Sequence, residues 1–267
     1  MHPIRQYFQF KSFASRMSIY VLSFTLIVFI VIITLFYSYS RKKVTDFAIK
    51  STHEQLQNMA SKIGDLLQTV ETTMNQTSWM IEESKADPDS LFRIVMAVAK
   101  NNDLIVSSGI AFVPDYYKEK GKYFMPYASY MDGKIECAVL GSPIYDYPCM
   151  DWYLVPKLLK QNYWSEPYYD EGGGNFIMST FSMPLYDKTG EVYAIFTANI
   201  SLSQFTDMVS QLKPYTTSFT FLLSRNGSYL TNPDRSKIMN ETIFTDAQAN
   251  NTPEKEQIGR EMLAQQT

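Results

Sequence analysis

The hydrophobic pattern begins with one long apolar segment, residues 17–40, which contains no charged residue and lies between Arg16 and Arg41. A bilayer core of about 30 Å needs roughly 20 apolar residues in a helix, so this segment is long enough to span a membrane. A cleaved signal peptide would have a shorter apolar core and a cleavage site of small residues, and this segment ends in Phe-Tyr-Ser-Tyr. The pattern therefore predicts an uncleaved transmembrane helix.

The next segment, residues 41–85, is predicted to be a long helix with one apolar stripe. Apolar or nearly apolar residues recur at alternating spacings of three and four, at Leu56, Met59, Ile63, Leu66, Val70, Thr73, Thr77 and Met80. This spacing places them on one face of the helix. Such a stalk packs either on its own domain or on the same helix of a second subunit, and both alternatives, the homodimer included, stay open.

Beyond the stalk, short helices and strands alternate with turns. Helical spacing predicts helices at 91–100, 151–161 and 201–213, and strand patterns are found at 105–113, 123–130, 134–140, 176–185 and 191–200. After Pro214 the pattern restarts with strands at 218–223 and 228–231 and short helical segments at 236–239 and 254–263. Helices mixed with antiparallel strands in this order predict an α+β fold rather than a parallel, doubly wound sheet.

These elements divide the chain into five predicted regions. They are a cytoplasmic head (1–16), a transmembrane helix (17–40), a stalk helix (41–85), a membrane-distal lobe with its linker helix (86–213) and the start of a membrane-proximal lobe (214–267). Two strands cannot close a sheet core, so we expect the last region to be incomplete. Basic residues flank the apolar segment on both sides, so charge does not decide its orientation. Because the head is too short to fold, we expect it in the cytoplasm and the folded part outside the cell.

Composition narrows the class of function. The net charge is -3, and no face rich in Lys and Arg with interleaved aromatics is found, so no nucleic-acid partner is expected. With two histidines in the chain, His2 and His53, neither a metal site nor a Ser-His-Asp triad is expected, and no cofactor is predicted. The two cysteines, Cys137 and Cys149, either pair or remain free thiols.

The most specific motif lies between residues 151 and 202. It consists of Asp151-Trp152-Tyr153, the run Ser-Glu-Pro-Tyr-Tyr-Asp at 165–170, a strand that reaches Pro184, and a strand that ends in Asn-Ile-Ser-Leu at 199–202. From the apolar helix to about residue 231, the chain resembles the double Cache (dCache) sensor domains of bacterial transmembrane receptors. The resemblance implies a membrane-distal, PAS-like lobe with an antiparallel sheet, followed by a second, incomplete PAS-like lobe. It also implies a single-pass protein of the bacterial inner (cytoplasmic) membrane with its sensor domain on the periplasmic or extracellular side.

The resemblance also supplies candidate ligand-binding residues: Tyr130, Tyr145, Trp152, Tyr153, Tyr168, Asp170 and Asn199.

In amino-acid-binding members, an Arg two residues before the Trp-Tyr pair holds the ligand carboxylate, and this position is Met150 here. An Asp that binds the ligand ammonium at the end of the last strand is replaced by Asn199. Asp170 and the neighbouring rings can still bind a cation. We therefore expect a small amine or other polar metabolite rather than an ordinary α-amino acid. The alternative, in which Trp152 and Tyr168 are core residues and Asp170 caps a loop, stays open.

A glycine run, Glu171-Gly172-Gly173-Gly174, precedes the strand at 176. A phosphate-binding loop would continue into a Lys or the start of a helix, whereas Asn175 leads into a strand. The run is therefore expected to be a turn or a flap over the pocket.

Two classes of function fit these features. The first is a ligand sensor without enzymatic activity of its own, which signals through the stalk to an output domain of serine phosphatase, histidine kinase, chemotaxis or cyclase type. The head sequence Ser-Phe-Ala-Ser-Arg-Met-Ser at 12–18 resembles membrane serine phosphatases of the sporulation-regulator type. The alternative is a membrane-tethered extracytoplasmic hydrolase that uses Asp151, Asp170 and Glu171 as acidic catalytic groups.

Overall fold

A computed structural model describes residues 13–131, 133–171, 175–211, 213 and 218–264. The chain divides into two compact units, Met1–Asn58 and Met59–Thr267. The described part of the first unit is entirely helical, and the second unit contains the strands. Residues 172–174 of the glycine run and residues 1–12 of the predicted head lie outside the described residues.

The first helix, α1, extends over Phe13–Ser84. Within the described residues it holds the one segment that is long and apolar enough to cross a membrane, and the protein buries none of that segment. Two of its hydroxyl groups are satisfied inside the helix, because Thr25 donates to the carbonyl of Val21 and Thr34 donates to the carbonyl of Ile30. Internal satisfaction of this kind suits a helix surrounded by lipid, where no water is available to polar groups.

The C-terminal part of α1 packs against the folded lobe of its own unit. Val70, Met74 and Ile81 are fully buried there. The predicted stripe is therefore correct at Val70 but wrong at Met80, which remains 36% exposed. Adjacent helical residues point about 100° apart, so moving the buried position from 80 to 81 turns the stripe onto a different face.

The lobe contains α2 (Leu91–Lys100), α3 (Asp151–Leu159) and α4 (Leu202–Gln211). Its strands are β1 (Ile105–Phe112), β2 (Met125–Met131), β3 (Lys134–Leu140), β4 (Tyr163–Trp164), β5 (Tyr168–Tyr169), β6 (Ile177–Tyr186) and β7 (Val192–Ser201). Helix α2 and strand β3 have the predicted bounds, and the other predicted elements differ by a few residues at their ends. The α+β fold class is confirmed.

The strands form one antiparallel sheet in the order β3-β2-β1-β7-β6-β4, with β5 also paired to β6. One face carries the main apolar core, which includes Ile110, Phe181 and Phe196 together with the buried residues of α1 and α2. Helix α2 supplies this core from one side, because Leu91, Ile94, Val95 and Val98 recur at helical spacing. The opposite face carries a smaller aromatic cluster that is covered by the segment between β3 and β6.

The C-terminal part of the second unit contains β8 (Leu222–Leu223), β9 (Tyr229–Thr231), α5 (Ile243–Ala249) and α6 (Pro253–Ala264). The predicted strand at 218–223 is thus shorter, the predicted helical segment at 236–239 is a single 3-10 turn at Arg235–Lys237, and α5 was not predicted. The buried carboxylate of Asp246 joins these elements. It accepts hydrogen bonds from Tyr229 (2.7 Å), from Lys237 (2.6 Å) and from Lys255. Burial acts to raise the pKa of Asp246, but these partners outweigh burial and hold the pKa below its ordinary value.

Candidate ligand-binding site

A row of polar side chains crosses the sheet on the face opposite the main core. Ser107 of β1, Asn199 of β7 and Thr180 of β6 are paired in register, so their side chains are neighbours on one face. The Asn199 amide donates to Ser107 Oγ and accepts from Thr180 Oγ1, both at 2.8 Å. Since the single hydroxyl proton of Thr180 is used in this way, the Tyr168 hydroxyl at 2.7 Å donates to Thr180. The row therefore connects Tyr168 to the centre of the sheet.

The carboxylate of Asp170 lies beside this row, at the end of β5. Asp170 is only 4% exposed, and its Oδ1 accepts a hydrogen bond of 2.9 Å from the Tyr145 hydroxyl. The backbone fixes the residue as well, because Asp170 N–H donates to Phe176 O and Asp170 O accepts from Asn175 N–H. A buried carboxylate held in this way can accept hydrogen bonds from a cationic group.

Burial and the Asp170 charge act on the surrounding tyrosines. Burial raises the pKa of Tyr145 and of Tyr168, and the negative charge of Asp170 raises both further. Burial raises the pKa of Tyr127 to about 12, and the Asp170 charge acts in the same direction. The three hydroxyls therefore stay protonated at neutral pH: Tyr145 donates to Asp170, Tyr168 donates to Thr180, and the Tyr127 hydroxyl has no partner among the described atoms.

Helix α3 places Trp152 and Tyr153 over the same face of the sheet. A 3-10 turn at Tyr147–Cys149 precedes it, and the Met150 carbonyl accepts from the N–H groups of Tyr153 and Leu154, which starts the helix. Trp152 is 4% exposed and Tyr153 is fully buried. Their rings pack with the ring of Tyr147 at centroid distances of 6.4 and 5.4 Å. Aromatic rings therefore cover the site on the side opposite the sheet.

The structure brings together six of the seven predicted site residues and leaves Tyr130 out. Tyr145, Trp152, Tyr153, Tyr168, Asp170 and Asn199 lie on or over the polar face. Side chains alternate along β2, and Ala128 belongs to the main core, which places Tyr130 on that opposite face. Tyr127, which the sequence did not single out, belongs to the aromatic cluster of the site face.

Met150 stands where the resemblance places an arginine. Its side chain is half-buried and packs against the aromatic cluster that includes Trp152. A thioether cannot form the paired hydrogen bonds by which a guanidinium binds a carboxylate. Cys149 beside it and Cys137 on β3 are both exposed free thiols in the structure.

A large cavity of the second unit lies elsewhere. It measures about 1010 Å³ and is lined by parts of α1, β4, α4, β8 and β9, including Ile63, Trp164, Phe205, Leu222 and Arg225. A smaller cavity of about 370 Å³ runs along α1 and is lined by Asp65, Thr69 and Thr73, among others. Neither is lined by Asp170 or Trp152.

Comparison with known families identifies the lobe. Residues 91–207 match the family model described as the first PDC sensor domain of methyl-accepting chemotaxis protein-like proteins. The lobe is an extracytoplasmic sensor domain of the PDC type. The match confirms the resemblance to Cache-type sensor domains, and it covers α2, the whole sheet and α3. No curated protein matches the chain.

Several solved sensor domains share the fold of the PDC domain and its flanks. A methyl-accepting chemotaxis protein X is 20% identical, over 78% of this chain and 84% of that one, with a TM-score of 0.66. The extracellular domain of a protein assigned as a histidine kinase, mmHK1S-Z3, is 25% identical over 78% of this chain and 76% of that one, with a TM-score of 0.59. The ligand-binding domain of the Pseudomonas aeruginosa amino acid chemoreceptor PctB, in complex with L-Gln, is 15% identical over 73% and 72%, with a TM-score of 0.54.

The PDC domain and the apolar segment of α1, the one candidate span among the described residues, together indicate a membrane protein with an extracellular sensor domain. The chain is similar to sensor and ligand-binding domains rather than to catalytic domains.

Sequence reasoning missed several residues of the polar face, namely Ser107, Tyr127, Thr180, Ser182 and Thr197. Polar residues at every second position of β6 and β7 were the available signal. This signal was weak because both strands are buried on both faces for most of their length.

Proposed function

We propose that the PDC domain binds a small metabolite that carries a positive charge, and that Asp170 accepts hydrogen bonds from its ammonium group. The observation that carries this proposal is the buried Asp170 carboxylate, oriented by the Tyr145 hydroxyl at 2.9 Å. The rings of Trp152 and Tyr168 lie on the same side of the sheet and can add cation–π attraction. The predicted ligand-binding residues, apart from Tyr130, form this proposed site.

The charge of the site favours an amine over an α-amino acid. The ligand-binding domain of PctB was solved in complex with L-Gln, so amino acids are the competing ligand class for this chain. An α-carboxylate needs a cationic partner when it leaves water. The position expected for the arginine is the half-buried Met150, and the nearby acid, Asp170, would repel a second carboxylate.

The proposed signal passes from the sheet to α1. Two hydrogen bonds connect them within the second unit: Tyr193 of β7 donates to Glu82 at 3.1 Å, and Trp164 of β4 donates to Glu71 at 2.8 Å. Strand β7 also carries Asn199 of the proposed site. We infer that ligand binding shifts β6 and β7, and that α1 transmits the shift through a bacterial inner membrane to an output domain. The output is of serine phosphatase, histidine kinase, chemotaxis or cyclase type.

The hydrolase alternative gains no support from the geometry. Asp170 is buried, whereas Asp151 and Glu171 are exposed. A pair of catalytic carboxylates has to flank one bond of the substrate, which groups in such different environments do not readily do.

A thermal-shift screen of the full chain in detergent micelles tests the proposal. The panel contains primary amines and diamines, neutral α-amino acids, and dicarboxylates. We expect stabilisation by at least one amine, and we expect the Asp170→Asn variant to lose it. The matched control is Asp103→Asn, which changes an exposed carboxylate outside the site. Stabilisation by α-amino acids alone, or amine binding that survives Asp170→Asn, would contradict the proposed ligand class.

A further inference from the structure

Buried polar atoms without a partner are concentrated at the proposed site. Within the described part of the chain, they are Tyr127 OH, Trp152 Nε1, Tyr153 OH and Ser182 Oγ. All four residues are at most 4% exposed. Most buried polar groups in proteins have a hydrogen-bond partner, so four such atoms around one site need an explanation. One explanation is a ligand that supplies the missing hydrogen-bond partners.

Two of these atoms, Tyr127 OH and Ser182 Oγ, belong to one register row of the sheet. Tyr127 pairs with Gly109, Gly109 with Thr197, and Thr197 with Ser182, which places the four residues side by side on one face. This row is adjacent to the row of Ser107, Asn199 and Thr180, because the two rows are two residues apart along each strand.

Gly109 allows the Tyr127 ring to lie across the sheet. A Cβ at Gly109 would lie 3.1 Å from Tyr127 Cδ2 and 3.3 Å from Thr197 Oγ1, so the ring and Thr197 occupy the space of the missing side chain. The Tyr127 hydroxyl consequently lies near Ser107 of β1 and Asn199 of β7, which oppose the effect of burial on its pKa without completing a hydrogen bond among the described atoms. Ser182 lies on the next strand, β6, beside Thr197.

The other two residues of this row, Gly109 and Thr197, are uncharged. Thr197 already donates its hydroxyl to Gly109 O at 3.1 Å, and Gly109 has no side chain. A hydroxyl can both donate and accept a hydrogen bond. The hydroxyls of Tyr127 and Ser182 therefore match a hydroxyl or carboxamide group of a ligand better than a carboxylate, which requires a cation.

We propose that Tyr127 and Ser182 bind an uncharged polar group of the ligand, so that the metabolite is an amino alcohol or amino amide. This inference rests on the proposed function, because Asp170 must hold the ammonium end. The row of Tyr127 and Ser182 is adjacent to the row that contains Asn199 and Thr180, so both ends of one ligand would lie on the same face of the sheet.

Calorimetric titration of the full chain in lipid nanodiscs tests the inference with two matched probes. 3-Amino-1-propanol carries the hydroxyl, and n-butylamine has a methyl group in its place. We expect 3-amino-1-propanol to bind more tightly. Loss of one neutral hydrogen bond corresponds to a decrease of about three- to tenfold, so we expect Tyr127→Phe and Ser182→Ala each to weaken its binding by that factor. These two substitutions should leave the binding of n-butylamine unchanged. The control variant Tyr186→Phe removes an exposed hydroxyl at the far end of β6 and should change the binding of neither probe.

The outcomes separate the two proposals. Equal affinities for both probes, or Asp170-dependent binding that is insensitive to Tyr127→Phe and Ser182→Ala, would overturn the inference and leave the proposed function standing. Such a result would mean that the hydroxyls hold ordered water only. Absence of Asp170-dependent binding by either amine would overturn the proposed function and the inference together.

Discussion

The Tyr145 hydroxyl donates a hydrogen bond of 2.9 Å to Asp170 Oδ1, and this bond joins the segment before α3 to the end of β5. Tyr145 precedes the start of α3 at 150–153, and Asp170 follows it in the chain. The bond therefore holds the segment that contains α3 against the sheet. The Asp170 carboxylate is oriented as a result, which is the condition for binding a cation at a fixed place.

Removal of this bond should weaken the lobe and its binding site. Hydrogen bonds to charged groups contribute about 1.5–3 kcal/mol, so we expect Tyr145→Phe to lower the free energy of unfolding by about that amount. Urea denaturation followed by circular dichroism measures the change. Tyr186→Phe serves as the control, because that hydroxyl is exposed. An unfolding free energy equal to that of the control would show that the bond is not made in solution.

Gly109 should not tolerate a side chain. An added Cβ would lie 2.5 Å from Met125 Cε and 3.1 Å from the Tyr127 ring, and overpacking of this kind costs about 1–3 kcal/mol. We expect Gly109→Ala to destabilise the lobe by that amount and to displace Tyr127. Gly64→Ala is the matched control, since Gly64 lies exposed in α1 with open space at its Cβ, and alanine there should stabilise by about 0.5–1 kcal/mol. Equal effects of the two substitutions would contradict the described packing.

The register of α1 on the lobe can be tested at two neighbouring residues. Ile81 is fully buried, whereas Met80 is 36% exposed. Truncation of a buried Ile to Ala costs about 2–5 kcal/mol, and surface substitutions usually change stability by about 0.5 kcal/mol. Chemical denaturation should therefore show a large loss for Ile81→Ala and a small one for Met80→Ala. The reverse order would support the predicted stripe through Met80.

The lobe should lose stability in alkaline solution. Burial raises the pKa of Tyr127 and of Tyr147 to about 12, whereas tyrosines in the unfolded chain ionise near about 10. Above pH of about 10 the unfolded state therefore binds fewer protons than the folded state, so stability is complete below that pH and falls above it. Absorbance at 295 nm and circular dichroism, recorded together from pH 9 to 12.5, follow ionisation and unfolding. Complete tyrosine ionisation near pH 10 with an unchanged fold would contradict the burial of these hydroxyls.

Much of the fold is visible in the sequence because long elements carry a clear period. Helix α2 repeats its apolar residues at helical spacing, and β3 is bounded by turn residues, so both were predicted with their observed bounds. Strands β4 and β5 contain two residues each and are too short to show a period. In α1 the alternating spacing of three and four drifts from the true helical period of 3.6, which explains the one-residue error at Met80.

The site was less predictable than the fold. Asp170, Trp152 and Tyr168 belong to a recognisable motif, but the partners of the motif come from other strands. Near its start β2 is buried on both faces, so its sequence does not alternate and does not distinguish Tyr127 from Tyr130. The orientation of these two rings depends on the pairing of β2 with β1, which is a tertiary feature.

An experimental structure of the chain with the amine that binds best tests the central claim most directly. The account predicts that the ligand nitrogen lies within hydrogen-bonding distance of the Asp170 carboxylate, with the ligand under Trp152 and Tyr168. A ligand found instead in the cavity lined by Leu222 and Arg225, with Asp170 making no contact to it, would contradict the account.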